Sequence, residues 1–384
     1  LLQQDGKLKL DDPVERYVPN LTRGDSITIR QVLSHTSGYE DYWPQDYVFP
    51  AMLKPTTPEA ILDQWARKPL DFEPGTDWQY SNTNYTIAGL IVEKVSGMKL
   101  MDFLQKRIFT PLHMTVGELG TAPAGSTDAI AYTRVALGPL HPAPVIAPGW
   151  LFAMGELEMT PRELALWDIS MIDRSLLAPE SYDAMTTPVA LRSGRDSHYG
   201  LGVELAGDGA RKEISHEGEI SGLITENEIW PELKAAVVVI VNADGATEPS
   251  AIADRIAKII LPPDNQPPKP ATSTPQKTPP PENTAGVGSA REFFSQLRQG
   301  KVDASKLTAN AASFFTPEAL QDAATGLKPL GELQAFVPLG PSFDRGGFIF
   351  RAYFAKCGNG RVFVNTCTLK DGRFEQFLVL PFVM

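Results

Sequence analysis

The sequence predicts an α+β fold (mixed α/β) in two domains of unequal size, and three observations carry that prediction. Capped helical segments alternate with strand-like runs, and in each half of the chain the strands come late. A Pro-rich stretch, residues 262–284, separates the halves. Nine of the 33 prolines fall between Pro262 and Pro281, mixed with Thr, Ser, Lys and Gln. Such a segment buries no apolar surface and stiffens toward polyproline II, so it reads as a linker. The 384 residues are 42% hydrophobic and 21% charged. That is ordinary for a globular protein, and enough chain to bury about three quarters of its unfolded surface without staples.

The elements follow in order. The chain opens Leu-Leu-Gln-Gln-Asp-Gly-Lys-Leu, which reads as the last turn of a helix running into Gly6 and lacks the regions of a signal peptide. Helices open at Thr57-Pro58-Glu59 and at Thr160-Pro161-Arg162-Glu163, each with an N-cap Thr and Pro at N1, the second as a full capping box. Ile87, Leu90, Ile91 and Val95 recur at helical spacing and predict a helix over 82–95, stopped before Gly97. Residues 220–230 and 235–242 read as strands joined by a turn at Pro231, and 250–260 as a closing helix. Past the linker, 289–299 and 317–325 are helical. Residues 348–357, 361–369 and 373–382 are strands, joined at Gly358-Asn359-Gly360 and Lys370-Asp371-Gly372. The expected domains are 1–261 and 285–384.

Composition separates the halves and excludes several function classes. Thirteen of the 18 Phe lie after residue 284, and residues 285–384 carry 11 basic and 8 acidic side chains, a net of +3 in a chain of −11. An acidic chain with pI about 5.1 is no general nucleic-acid binder. The longest apolar run, 235–241, is strand-sized, so no transmembrane helix is expected. Five scattered His and two Cys lack zinc-site spacing, so neither metal nor cofactor is implied. Cys357 should face about residue 361 and Cys367 about residue 351, outside disulfide reach. They read as two half-buried thiols.

There is no phosphate loop, no Gly-x-Gly-x-x-Gly and no Gly-x-Ser-x-Gly. What is present is an ordered series. Gly6-Lys7-Leu8, Leu10-Asp11-Asp12-Pro13-Val14 and Tyr17-Val18-Pro19 come first. The run Ile27-Thr28-Ile29-Arg30-Gln31-Val32-Leu33 leads into Ser34-His35-Thr36-Ser37-Gly38. Tyr80-Ser81-Asn82 stands at a helix start, and His216-Glu217-Gly218 on a strand near the end of the first domain.

At these residues, over about 1–261, the sequence resembles the penicillin-recognising serine hydrolases, in particular the class C β-lactamase-related group with its esterases and D-amino-acid peptidases. The resemblance implies a β-lactamase/transpeptidase-like fold: an antiparallel sheet flanked by helices, with an all-helical subdomain. It implies that Tyr80 is the base toward a nucleophilic serine and the acid toward the leaving group. A free phenol titrates at about 10, so Tyr80 would need nearby cations, the family lysine and His216 being candidates. Asn82 would hold that lysine and a substrate carbonyl, with Ser81 beside it in substrate binding. His216 would form the opposite wall. The strand after Gly218 would lie against the substrate, the Glu219 backbone N–H serving as an oxyanion donor.

Plainer readings exist at the same residues. Alone, Tyr-Ser-Asn is an N-capped turn and a single His is a satisfied surface or core residue; the ordered company favours the site. His35-Thr36-Ser37-Gly38 reads as a turn whose hydroxyls bond the backbone. The family's Ser-x-x-Lys occurs only as Ser96-Gly97-Met98-Lys99. That match follows a helix, contains a helix-breaking Gly and comes after Tyr80, so it is a chance match. The family pattern places the true motif about ten residues before Leu1, and the chain as given is expected to be inactive alone. His216 and Glu217 stand where β-lactamases carry Lys and Thr. A carboxylate there would repel that of a β-lactam and favour esters or neutral peptides.

The second domain is similar in element order to small cystatin-like or nuclear-transport-factor-2-like modules, with its partner unknown. The expectation is a periplasmic or secreted serine hydrolase forming an acyl-enzyme on an ester, amide or D-amino-acid peptide. Its partner is a small molecule or peptide, with no nucleic acid and no membrane span. The alternative is a non-catalytic binding protein on the same fold. A third reading gives the main function to the second domain, gripping a partner or cell-wall component.

Overall fold

The computed structural model describes residues 1–119, 129–244, 249–263 and 284–382, so the linker expectation lies almost wholly outside the described residues. The opening residues form a single helical turn. Asp5 N–H bonds Leu1 O, while Gly6 N–H to Gln3 O and Lys7 N–H to Leu2 O close the turn as a Schellman motif around Gly6 at φ 70°.

Four helices build an all-helical lobe: α1 (Ile29–Leu33), α2 (Pro58–Trp65), α3 (Asn82–Ser96) and α4 (Leu100–Leu104). Its core is Val14, Ile27, Val32, Tyr39, Ile87 and Ile91, with Leu62 of α2 packed in. α3 ends on Gly97 in the left-handed region at φ 70°, one residue beyond the predicted end. The capping box sits where sequence reasoning did not place it. Thr28 and Gln31 exchange both bonds at the start of α1. At Thr160 only half of the expected box forms. The Thr160 hydroxyl donates to the Glu163 carboxylate, which therefore does not reach back to the Thr160 amide.

Four two-residue strands, β1 (Gly117–Glu118), β2 (Tyr132–Thr133), β3 (His141–Pro142) and β4 (Leu157–Glu158), pair as β1–β4 and β2–β3. Helices α5 (Phe152–Gly155), α6 (Pro161–Asp173) and α7 (Pro179–Met185) lead to an antiparallel sheet of β5 (Glu204–Ala206), β6 (Glu213–Ile220), β7 (Leu223–Trp230) and β8 (Ala235–Val241), in that order. α8 (Pro249–Ile260) follows. Strand alternation sends Ile214 and Ile229 to one face, against Met171 of α6 and Tyr182 of α7. Trp230, Val237 and Val239 go to the other face, against Ala253 and Ala257 of α8. The sheet is thus flanked by helices on both sides. The predicted strand 220–230 is two elements, because Ser221-Gly222 turns the chain. Gly222 takes φ 82°, and a Cβ there would meet Ala143 Cβ and Tyr132 N at 2.8 Å.

The second domain is a small α+β unit. Helices α9 (Thr284–Leu297), α10 (Ala309–Phe314) and α11 (Pro317–Leu327) cover strands β9 (Leu333–Pro338), β10 (Phe343–Arg345), β11 (Phe348–Cys357), β12 (Arg361–Thr368) and β13 (Phe374–Pro381). β12 and β13 extend one edge of β11, while β9 and β10 share its other edge. The Phe enrichment of this half fills its core, with Phe293, Phe294, Phe315, Phe336, Phe374 and Phe377 buried. Cys357 and Cys367 are buried and free; Cys367 lies opposite Phe350, one residue from the expected register. α10, β9 and β10 had no counterpart in the sequence reading.

The two domains share a core. Tyr47 of the first domain is buried among second-domain residues, stacked on Phe314 at 3.8 Å between centroids. Its hydroxyl donates to Phe377 O at 2.8 Å. Gln376 accepts from Asp46 N–H at 2.7 Å, and His141 meets Asp322 at 2.7 Å.

Candidate active site

The Tyr80-Ser81-Asn82 segment is extended where it enters α3, with Ser81 at φ −151° and ψ 117°. In extended backbone successive side chains point to opposite sides. Tyr80 and Asn82 line a large cleft between the helical lobe and the sheet, and Ser81 does not. This corrects the expectation that Ser81 binds substrate: it is fully buried on the far side.

The support beneath Ser81 is His35. Its Nδ1 accepts from Ser81 N–H at 3.2 Å, which puts the ring proton on Nε2. The ring lies 4.3 Å from Tyr80, between centroids, and 5.1 Å from that of Tyr199. Burial, with the nearby His216 and Arg345, holds His35 well below the usual imidazole range, so it is neutral. The turn around it does more than bond backbone: Ser37 Oγ accepts from Tyr39 N–H at 3.2 Å and donates to Asn84 Oδ1 of α3 at 2.6 Å. Gly38, at φ 86°, must be glycine, since a Cβ would stand 2.3 Å from Phe72 O.

Asn82 is held by the first domain's loop ahead of α2. Its N–H donates to Asp41 Oδ1 at 3.0 Å, and its side-chain amide to Trp43 O at 3.4 Å. Across the cleft stands β6. The Glu217 carbonyl can only accept, so it takes the proton of His216 Nδ1. His216 Nε2 in the neutral ring then accepts from Tyr199 Oη at 2.9 Å. The ring so fixed lies 6.1 Å from that of Tyr80. Gly218 follows on the same strand face, and a Cβ there would be 2.6 Å from Thr225 Oγ1 of β7. β5 pairs with β6 only at Glu213–Ser215, so the stretch containing Gly218 and Glu219 is laddered to β7 alone among the described strands. Glu217 sits opposite Glu226 on the other face of the sheet from His216, exposed at the cleft's rim. The Glu217 carboxylate thus stands at the rim and not on the wall.

The cleft encloses ≈ 2150 Å³. Its field is mostly anionic. Burial, then Asp41, Glu217 and Glu204, push the Tyr80 phenol up to about 12, and Arg345 opposes them. Burial and the same acidic neighbourhood push Glu226 up to about 7. Ser96 and Lys99 lie outside the cleft: Ser96 Oγ caps the Met98 amide at 3.1 Å, and Lys99 is 82% exposed and faces Glu93.

Sequence reasoning missed Arg345. It ends β10, and Gly346 and Gly347 at φ 56° and 79° turn the chain into β11. This hairpin tip enters the cleft from the second domain. Arg345 Nη2 donates to Asp41 Oδ2 at 2.6 Å, and its guanidinium carbon is 5.3 Å from the Tyr80 ring centroid. Two adjacent glycines between polar and aromatic residues are a hairpin signal, but nothing local in them points to a site in the other domain.

The profile of the Beta-lactamase family matches residues 1–261. A putative penicillin-binding protein PbpX of Bacillus subtilis is 25% identical over 261 residues, and the chain spans 62% of that relative's length. A crystal structure of a D-stereospecific amidohydrolase from Streptomyces sp. superposes with TM-score 0.58 at 28% identity, over 67% of this chain and 81% of that one. The octameric penicillin-binding protein homologue from Pyrococcus abyssi shares the fold over 98% of this chain and 84% of its own, with TM-score 0.59 at 20% identity. No helix among the described residues is long and apolar enough to cross a membrane. With the fold, the cleft and these likenesses in agreement, the chain belongs to the beta-lactamase family, whose members include penicillin-binding-protein-like and amide-hydrolysing relatives.

Proposed function

We propose that this chain provides all but the nucleophile helix of a serine hydrolase that forms an acyl-enzyme on an ester, amide or D-amino-acid peptide, in the periplasm or outside the cell. One observation carries the reading: Tyr80, Asn82 and His216 face one cleft of ≈ 2150 Å³. Small-molecule pockets enclose about 300–1,000 Å³. A ten-residue helix, about 10 Å across and about 15 Å long, displaces about 1,200 Å³. The cleft has room for a helix bearing Ser-x-x-Lys and a substrate together.

The chemistry then follows from the phenol. Held at about 12, Tyr80 is ionised to only about one part in 10⁵ at pH 7. A lysine ammonium beside it would favour the phenolate. Tyr80 takes the serine proton as Oγ attacks the carbonyl carbon, then returns it to the leaving group. Water hydrolyses the acyl ester by the same relay. Asn82 orients the lysine and a substrate carbonyl. His216 walls the acyl group, and the β6 segment with Gly218 and Glu219 lies along the substrate, offering the oxyanion donor. Acidic groups around the cleft favour neutral substrates over anionic ones.

The test treats the full-length protein with a fluorophosphonate, followed by intact mass and peptide mapping. One adduct on the serine of a Ser-x-x-Lys is the expected result. An adduct on Ser96 would overturn the assignment of the nucleophile, and no adduct would favour a binding protein on the same fold.

A further inference from the structure

We propose that the second domain completes the active site of the first: Arg345, at the tip of the β10–β11 hairpin, is a positioning residue that holds the Tyr80–Asn82 segment in working geometry. This rests on the function proposed above for Tyr80.

The geometry joins three groups in sequence. The Asp41 side chain is fully buried, and that of Arg345 is 26% exposed. One carboxylate oxygen of Asp41 accepts from Asn82 N–H at 3.0 Å and from Trp43 N–H at 3.2 Å. The other takes Arg345 Nη2 at 2.6 Å. A carboxylate buried this way is held by its guanidinium partner; removing that partner strands a charge under the first turn of α3. The same guanidinium lies against the Tyr80 ring at 5.3 Å, within cation–π reach. Arg345 thus meets the first domain at the residue that anchors Asn82 and at Tyr80 itself.

The hairpin tip is seated for this. A Cβ on Gly346 would stand 2.9 Å from Pro44 Cγ and 3.3 Å from Asp41 O. Docking of the domains is already secured elsewhere, by Tyr47 on Phe314 and Phe377 and by His141 on Asp322. Arg345 Nε is buried with no partner among the described residues. The charged groups facing Tyr80 are Asp41, Glu204 and Glu217, which oppose its ionisation, and Arg345, which favours it. His35 and His216 flank the ring.

The experiment measures kcat/KM against pH for an activated ester with the full-length protein. Arg345→Ala should lose about 10²-fold, the cost of a misplaced catalytic segment. The limb of the pH profile that follows the phenol should move to higher pH. Millimolar guanidinium chloride should restore part of the rate to Arg345→Ala, where sodium chloride does not. Arg345→Lys keeps the charge but not the planar fork, and should lose about ten-fold with its melting temperature preserved. Should Arg345→Ala fail to fold, Arg345→Lys decides. Rates within about three-fold of wild type in every folded variant, alongside an inactive Tyr80→Phe, would overturn the inference alone. An active Tyr80→Phe would instead overturn the proposed function, and this inference with it.

Discussion

Two regions of the molecule reach the same cleft by different routes. Tyr80, Ser81 and Asn82 are consecutive, and an extended entry into α3 is enough to aim the first and third at the cleft. Arg345 arrives from the other domain, 304 residues away from its partner Asp41, on a hairpin whose turn is two left-handed glycines. The first region carries its geometry in local backbone. The second has none until both domains are folded and docked. The difference teaches that residues performing chemistry and residues holding them in place need not share a stretch of sequence or a domain.

The comparison breaks most sharply at Tyr80. Tyr80→Phe in the full-length protein should lower kcat/KM by about 10³- to 10⁴-fold, the scale of a lost acid–base group. Near-normal turnover would remove the first region from the mechanism. Tyr47→Ala attacks the second region from its base, deleting a ring stacked on Phe314 and bonded to Phe377. Urea unfolding should show a loss of about 3–5 kcal/mol. Turnover should fall with it toward the level of the Arg345 variants, and unchanged turnover would detach the second domain from the site. Gly218→Ala tests the opposite wall. Its Cβ meets Thr225 Oγ1 at 2.6 Å, an overpacking cost of about 1–3 kcal/mol that Thr225→Ala should relieve in the double variant.

The smallest effect emerges only below neutral pH. His35 is held below its usual value of 6.5. The unfolded chain therefore binds the extra proton first, and the His35 contribution is full above pH 6.5 and lost as pH falls below it. Asp168, Glu226 and Glu228, each pushed up to about 7, act in the opposite sense. The His35 contribution is the difference in urea midpoint between wild type and His35→Gln, followed from pH 7.5 to about 5. A difference independent of pH would remove the neutral ring from beneath Ser81.

Much of the architecture was legible because its signals are local. The Thr-Pro pairs at 57–58 and 160–161 each cap a helix. Gly97 stops α3, and the turns at Gly358-Asn359-Gly360 and Lys370-Asp371-Gly372 bound strands close to the predicted ones. What escaped depends on distance or on competition. The capping box at Thr160 fails because the hydroxyl and the carboxylate bond each other. The sense of Ser81 depends on the alternation of the backbone it enters from. The role of His35 under Ser81 needs a contact 46 residues away, and Arg345 needs an entire second fold.

The pairing of Asp41 with Arg345 also ties the descent of the two halves together. A recombinant that joined the first domain to another partner would carry the Asp41 carboxylate without its guanidinium partner. One that kept the second domain alone would present an arginine with no seat. Neutral residues at both positions avoid either penalty, whereas a change at one does not. A substitution at position 41 is therefore coupled to the residue at 345, across the boundary between the domains.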